Sequence, residues 1–333
     1  MTVAAQPTRA LLGQSRAMQD LRYRILQIAP TAESVLITGE CGTGKDLVAR
    51  ELHAASGRRT QALVRFNCGV YAPDALESEL LGQELGVTAG ARQPSIGRLE
   101  RAHRGTLLVD DVTELPVLLQ AKLRRVLDEG CFERSGGTTS IPVDVRLVAL
   151  SHRSLADEMA AGRLSQELYF RLAVVPIAIP PLRERREDLG ELCDHLLRES
   201  AARLHCQPSR FSPAAMELLE NYDWPGNVRE LENLAIRANV LHAGQAVDAE
   251  LVRGWFEAAP PRSTVSQDQP SADGYSLREV ERQHIESTLE RCGGHRGRTA
   301  EALGIGTRTL SAKLKEYGQT RKASAVPPAH VHF

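Results

Sequence analysis

A chain of 333 residues is about twice the length of a typical domain, so two or three folding units are expected. With 42% hydrophobic and 25% charged residues the composition is that of a soluble globular protein, and 4% aromatics is too sparse for an all-β fold. Lys and Arg number 41 against 42 Asp and Glu, a formal net charge of -1, so any hold on nucleic acid must come from a local basic patch.

Cys41, Cys68, Cys131, Cys193, Cys206 and Cys292 include no Cys-x-x-Cys pair, which argues against a zinc site and a disulfide framework and for a reducing compartment. No apolar run approaches the roughly 20 residues of a membrane span, and Met1 to Ala10 lacks the apolar stretch of a secretion signal. A cytoplasmic protein without membrane contact is expected.

From Ser34 to about Pro180, short apolar runs alternate with amphipathic stretches, the pattern of an α/β unit with a parallel sheet. The predicted strands are Val35 to Thr38, Leu63 to Phe66, Thr106 to Val109, Val145 to Leu150 and Val174 to Ile177. Directly after the first comes Gly39-Glu40-Cys41-Gly42-Thr43-Gly44-Lys45-Asp46, then a helix through Leu47, Val48, Leu52 and His53. Strand, glycine loop and helix stand in the order of a P-loop. Its glycines let backbone N–H groups close on phosphate oxygens, and its lysine reaches the β and γ phosphates. Asp46 occupies the usual Ser/Thr position, so the metal-binding hydroxyl is missing there.

The run Leu107-Leu108-Val109-Asp110-Asp111 looks like a Walker B strand, with Asp110 to hold Mg²⁺ and Asp111 to orient the attacking water. Taken alone, such an acidic pair is a solvated strand end; behind a P-loop the catalytic role is the better reading. After Pro180-Pro181 the strands stop, and residues 186–257 read as successive helices, an all-α lid. Residues 258–274, rich in Pro, Ser and Asp, read as a linker.

From Ser276 the helical period resumes. One helix carries Val280, Ile285 and Leu289, a second runs from Arg298 to Leu303, and a third from about Thr307 to Tyr317 follows a turn at Gly304-Ile305-Gly306. The last two make a helix-turn-helix. Leu310 and Leu314 face the core in that assignment, leaving Arg308, Thr309, Ser311, Lys313 and Lys315 for a groove of double-stranded DNA, with Arg291, His295, Arg296 and Arg298 adding positive charge. A helical hairpin for dimerisation alone is the alternative. The expected boundaries are 1–11 for an extension, 12–181 for the α/β unit, 182–257 for the lid, 258–275 for the linker, 276–318 for the DNA-binding domain and 319–333 for a disordered tail.

The stretches GECGTGKDLVARELH, ESELLGQE, GRLERAHRGTLLVDDV, LQAKLRRVLDEG, FERSGG, LYFRLAVVPI, PPLRERREDL and YDWPGNVRELEN, in this order, resemble the AAA+ core of bacterial enhancer-binding proteins, the sigma-54-dependent activators. The C-terminal helices look like the Fis-type domain that closes most of them. The resemblance implies ATP and Mg²⁺ as ligands, Asn67 as partner of the Walker B acid, Arg171 as one of two arginines offered to a neighbouring subunit's nucleotide, and Arg229 as the sensor arginine of the lid. Asn67 as a turn cap, and Arg171 and Arg229 as surface residues, stand as the plainer alternatives. An arginine acting in trans implies assembly with itself as a hexameric or heptameric ring, alongside dimers. The position of Leu12 near the start suggests a short form without a receiver domain, and so not a two-component response regulator.

Four departures accompany the resemblance. The loop that touches sigma-54 is Gly-Ala-Phe-Thr-Gly-Ala in the family and Gly86-Val87-Thr88-Ala89-Gly90-Ala91 here. Asp111 stands for Glu, and the missing methylene withdraws the carboxylate by about 1.5 Å, enough to impair in-line activation of water. Ser151-His152 replaces Thr-Asn, and Ser165 replaces the first trans arginine, a charge whose loss can reach about 10³-fold or more. A sigma-54-independent, ATP-binding regulator with weak hydrolysis is therefore expected, with RNA polymerase as a candidate partner and sigma-54 not. Whether it acts as an ATPase stays open. The rivals are a working sigma-54 activator and a regulator gated by a second messenger such as cyclic di-GMP, for which Arg9 and Arg50 stand at suggestive places.

Overall fold

The computed structural model describes residues 11–84 and 94–257 and, nearer the C-terminus, residues 285, 288, 289, 295–303 and 305–316. Arg9, the 86–91 loop, the 258–274 segment, Arg291 and the tail lie outside the described residues. The chain divides into two compact units, Met1–Ala258 and Ala259–Phe333.

All five predicted strands are present in the first unit. Strands β1 (Val35–Thr38), β2 (Leu63–Asn67), β3 (Thr106–Asp110), β4 (Arg146–Ser151) and β5 (Val175–Ala178) form one parallel sheet in the order β2-β3-β4-β1-β5. Every residue of β3 and β4 is buried, because helices cover both faces. On one face Val35, Ile37, Leu108, Val148 and Leu150 meet Met18, Leu21 and Ile25 of helix α1 (Arg16–Ile28) and Val48 and Leu52 of α2 (Lys45–Ala54). On the other, Leu36, Leu107, Val109, Leu147 and Ala149 meet Leu76 and Leu80 of α3 (Pro73–Leu81), then, beyond the short α4 (Arg98–Arg101), Leu119 and Leu123 of α5 (Val117–Glu129). The alternation of neighbours along each strand between these clusters is the period of two of a β-strand.

Arg146, at the start of β4, is only 2% exposed. Its guanidinium donates to the carbonyls of Ala29 at 2.8 Å, Ile28 at 3.0 Å and Glu33 at 3.4 Å. The negative end of α1 thus supplies the partners of this buried cation.

The register sets the functional edge. Thr38 pairs with Ser151 and Asn67 with Asp110, so the C-terminal ends of β1, β2, β3 and β4 deliver the glycine loop, Asn67, Asp110-Asp111 and Ser151-His152 to one side of the sheet. Crevices at this end of open parallel sheets are where ligands bind. Helices α6 (Leu155–Ala160) and α7 (Gln166–Leu172) follow β4.

After β5 come α8 (Leu189–Leu204), α9 (Pro213–Asn221), α10 (Asn227–Leu241) and α11 (Ala249–Glu257). Their core gathers Leu192, Leu196, Leu219, Leu231 and Val252 around Trp224, whose Nε1 donates to the Leu219 carbonyl at 2.9 Å.

In the second unit α12 (Arg296–Ala302) and α13 (Thr307–Glu316) flank the turn at Gly306, and Ala300, Leu310 and Leu314 join Ile285 in a small core. Of the helix predicted before Gly293, residues 285, 288 and 289 are described and helical. Among the described residues no helix is long and apolar enough to cross a membrane, and no cluster of His, Cys, Asp and Glu could hold a metal on its own.

Candidate nucleotide site

The loop between β1 and α2 turns through two glycines in the left-handed region, Gly42 at φ 81° and Gly44 at φ 102°. A Cβ at Gly42 would lie 2.2 Å from the Gly226 carbonyl oxygen of the lid, so conformation and close approach both demand glycine. Thr43 is buried; its hydroxyl donates to the Glu40 carbonyl at 2.9 Å, and its own carbonyl accepts from the buried Arg185 at 3.2 Å.

Lys45 folds back over the loop, its Nζ donating to the carbonyls of Gly39 at 2.7 Å and Glu40 at 2.9 Å. Burial pushes its ammonium below the ordinary lysine value, opposed by the nearby Cys41, Asp110 and Asp111. These carbonyl bonds are replaceable by phosphate oxygens.

Asp110, 9% exposed, bonds Arg65 and accepts from Asn67 Nδ2 at 3.4 Å. Arg65 also lies 3.5 Å from Oδ1 of Asp46, whose other oxygen accepts from Arg50 at 2.7 Å. Oδ1 of Asp46 is buried without a hydrogen-bond partner. Two carboxylates converging beside Lys45, one with an unsatisfied oxygen, are a donor set suited to a hard divalent cation. Charge attraction from Asp110, Asp46 and Asp111, led by the hydrogen bond to Asp110, outweighs burial and raises the Arg65 guanidinium above its ordinary value.

Asp111 adopts φ 55°, and its Oδ1 lies 2.9 Å from Nδ1 of His152. Asn67 Oδ1 and Asp111 Oδ2 flank Gly69, each 3.5 Å from where a Gly69 Cβ would stand. Besides its contact with Asp110, Asn67 accepts through Oδ1 from the Gly69 amide at 2.9 Å, so it caps a turn while touching the first acid.

The glycine loop is closed from the lid. Asn227, fully buried, donates from Nδ2 to Glu40 Oε2 at 3.0 Å and to the Cys41 carbonyl at 3.1 Å, while its Oδ1 accepts from the Leu182 amide at 2.8 Å. Arg183 grips Glu40 through two bonds, at 2.8 and 2.6 Å, and this bond holds the Glu40 carboxyl below its ordinary range. The Glu40 side chain therefore fastens the lid, and only its backbone remains for phosphate. Arg229 Nη1 lies 3.2 Å from Cys41 Sγ, which brings the sensor position to the loop.

Arg171 on α7 bonds within its own unit, to the Leu127 carbonyl at 2.6 Å and Asp128 at 3.2 Å. Ser165 caps α7, accepting from the Leu168 amide at 3.3 Å. Of the two arginines named for a cyclic dinucleotide, Arg50 is bonded to Asp46 and Arg9 lies outside the described residues. On α13, Arg308, Thr309, Ser311 and Lys315 are exposed and Lys313 is half-buried, opposite the buried Leu310 and Leu314.

A family model described as Sigma-54 interaction domain matches residues 11–178, an AAA+ ATPase lid domain matches 183–269, and one described as Bacterial regulatory protein, Fis family, matches 276–317. The chain belongs to the sigma-54-dependent enhancer-binding regulators. This enhancer-binding regulator is 44% identical over 305 residues to the transcriptional regulatory protein ZraR of Salmonella typhimurium, covering 91% of this chain and 68% of ZraR. It is 40% identical over 308 residues to the Nif-specific regulatory protein of Klebsiella pneumoniae, covering 92% and 58%. Crystal structures of NtrX from Brucella abortus, in complex with ADP or with ATP, superpose with a TM-score of 0.70 at 36% identity, covering 93% of this chain and 70% of NtrX.

Asn227, Arg183, Arg65 and the pairing of His152 with Asp111 carry no signal in the sequence strong enough to single them out. Asn227 lies inside the enhancer-binding stretch YDWPGNVRELEN, which is the one cue available for it.

Proposed function

We propose that this enhancer-binding regulator binds ATP at the glycine loop, hydrolyses it weakly, reads double-stranded DNA with α13 and works in the cytoplasm without sigma-54. The observation that carries the nucleotide assignment is the closed arrangement of Gly42, Lys45 and Arg229 at the ends of β1 and β3. The ADP and ATP complexes of NtrX support it.

In this reading the loop amides and the start of α2 hold the phosphates, Lys45 exchanges its loop carbonyls for phosphate oxygens, and Arg229 meets the nucleotide from the lid. Asp110 and Asp46 would hold Mg²⁺, which neutralises phosphate charge when bound. Asp111 orients the water. Weak hydrolysis follows from its short side chain and from Ser165, a neutral cap where the family places a cation. Arg171 would serve a neighbouring subunit once freed from Asp128, which requires a ring.

Calorimetry tests the assignment. Wild type should bind ATP with Mg²⁺, and Lys45→Ala should not. Equal affinity in the two would remove it.

A working sigma-54 activator is the second reading, favoured by the match of 11–178 to the Sigma-54 interaction domain and the identity to ZraR. The departure in the 86–91 loop weighs against it.

A further inference from the structure

We propose that Arg65 is a resident counter-cation of the nucleotide site. Its guanidinium holds the place between Asp46 and Asp110 where a divalent cation would bind, so ATP binds with little need of metal, and Arg65 must swing aside before Mg²⁺ is held there. This role rests on the nucleotide assignment above. An ordinary P-loop has a neutral hydroxyl where this chain has Asp46, which puts one more carboxylate beside the phosphates.

Strand alternation brings Arg65 to this point. Along β2 the side chains of Leu63, Arg65 and Asn67 share one face of the sheet, and Leu63 packs with the cluster that contains Val48 and Leu52 of α2. Arg65 therefore lies on the face that α2 covers, with a stem long enough to reach the strand ends. One guanidinium nitrogen bonds Oδ2 of Asp110, the oxygen that Asn67 also touches, and another lies 3.5 Å from Oδ1 of Asp46. Arg50 holds the opposite oxygen of Asp46 at 2.7 Å. Oδ1 of Asp46 is buried and makes no hydrogen bond, so Arg65 meets it by charge alone. One planar fork thus bridges the two carboxylates. The side chain of Arg65 stays 47% exposed, and it can leave without opening the core.

Charge gives the arrangement its consequence. Asp46, Asp110 and Asp111 stand against Lys45, Arg50 and Arg65, so the floor of the site is balanced before nucleotide arrives. Without Arg65 one carboxylate would lack its counter-charge and would repel the phosphates unless a metal ion supplied it. The two kinds of cation compete for the same oxygens, Oδ2 of Asp110 and Oδ1 of Asp46. Arginine takes them as hydrogen-bond and charge acceptors, whereas Mg²⁺ takes oxygens only as ligands in an octahedral set. Arg65 is thus able to replace the charge of the metal but not its coordination.

The full chain, titrated with ATP and separately with Mn²⁺, tests this. By calorimetry wild type should bind ATP in EDTA within about tenfold of its affinity in excess Mg²⁺. Arg65→Ala should weaken binding in EDTA by about ten- to a hundredfold and leave binding in Mg²⁺ within about threefold of wild type. Arg65→Lys, which keeps the charge, should lose much less in EDTA. Arg65→Ala combined with Asp46→Ser, which removes the unmatched carboxylate, should recover metal-free binding, a rescue that a merely structural arginine would not give. Without nucleotide, Mn²⁺ titration followed by electron paramagnetic resonance should show Arg65→Ala holding the ion about tenfold more tightly than wild type. A loss in Arg65→Ala that is equal in EDTA and Mg²⁺, no recovery in the double variant, or no gain in Mn²⁺ affinity would each overturn the proposal. A wild type that binds ATP only when Mg²⁺ is present would overturn it as well, leaving the nucleotide assignment standing. Absence of ATP binding in both conditions would instead bring down the nucleotide assignment, and this role with it.

Discussion

Asn227 and Glu40, 187 positions apart, are joined by a hydrogen bond of 3.0 Å between the lid and the glycine loop. Asn227 is the first residue of α10 and sits at φ 50°, so the lid presents its amide sideways into the loop. With Arg183 on the same carboxylate, Glu40 ties the glycine loop to two residues that follow β5 in the chain.

Asn227→Ala should therefore be costly. It removes partners from the Leu182 amide, the Cys41 carbonyl and Glu40, and places alanine at a φ that asparagine tolerates better. A loss of about 2–4 kcal/mol in urea unfolding is expected, together with weaker ATP binding. An unfolding midpoint equal to wild type would show that the lid does not depend on this residue.

Acid sensitivity is expected from His53 on α2. It is 8% exposed, with Nδ1 2.9 Å from the Thr106 hydroxyl, and burial, aided by the charge of Arg146, pushes it below the ordinary histidine value. The native state holds it neutral, whereas the unfolded chain takes up a proton near pH 6.5. Stability is then full above about pH 6.5 and falls as the pH drops toward the lower folded pKa. His53→Gln should show a smaller fall in Tm than wild type between about pH 7.5 and 5.5. Parallel Tm profiles would eliminate His53 as a source of acid sensitivity.

The sheet was legible because its inner strands β3 and β4 are buried on both faces and so appear as apolar runs, as in Thr106 to Val109. The glycine loop was legible because Gly42 and Gly44 answer to backbone geometry that no other residue meets as well. Side-chain direction was not. Glu40 sits among loop residues in sequence, yet its carboxylate turns to Arg183, a partner 143 positions away. The pairing of His152 with Asp111 depends on how two turns at neighbouring strand ends pack, and no periodicity records that. Strands of two residues, such as Arg210–Phe211 beside Ala246–Val247, are too short to carry any pattern.

DNA binding should depend on α13. Arg308 and Lys315 are exposed on the side opposite Leu310 and Leu314, so substitution there leaves the small core intact. Arg308→Ala should cost about 1–3 kcal/mol and relax specificity at one base pair if it reads a base, while Lys315→Ala should weaken all sequences alike and lower the salt dependence. Gel shifts over a salt series measure both. A chain truncated after Gln269 that shifts the same operator as well as the full protein would remove α13 as the reader.

Sigma-54 polymerase should not respond to this protein. The 86–91 loop is carried on an antiparallel pairing of Gly82 and Gln83 with Ile96 and Ser95, and Gly82, at φ 81°, approaches the Ser95 carbonyl so closely that a Cβ would lie 2.4 Å from it. These pairs flank residues 85–93, and the difference from the family lies in the sequence between them. Thr88 and Ala89 offer far less apolar area than the Phe-Thr pair of the family, and no aromatic residue occurs between Tyr71 and Phe132 to take its place. Losing one buried Phe contact removes roughly 2 kcal/mol or more for each engaged subunit, repeated around a ring. Transcription in vitro from a sigma-54 promoter decides the matter. Wild type with ATP should form no open complexes, and Thr88→Phe combined with Ala89→Thr should gain them if the contact alone is missing; open complexes formed by the wild type would place this protein among the working activators.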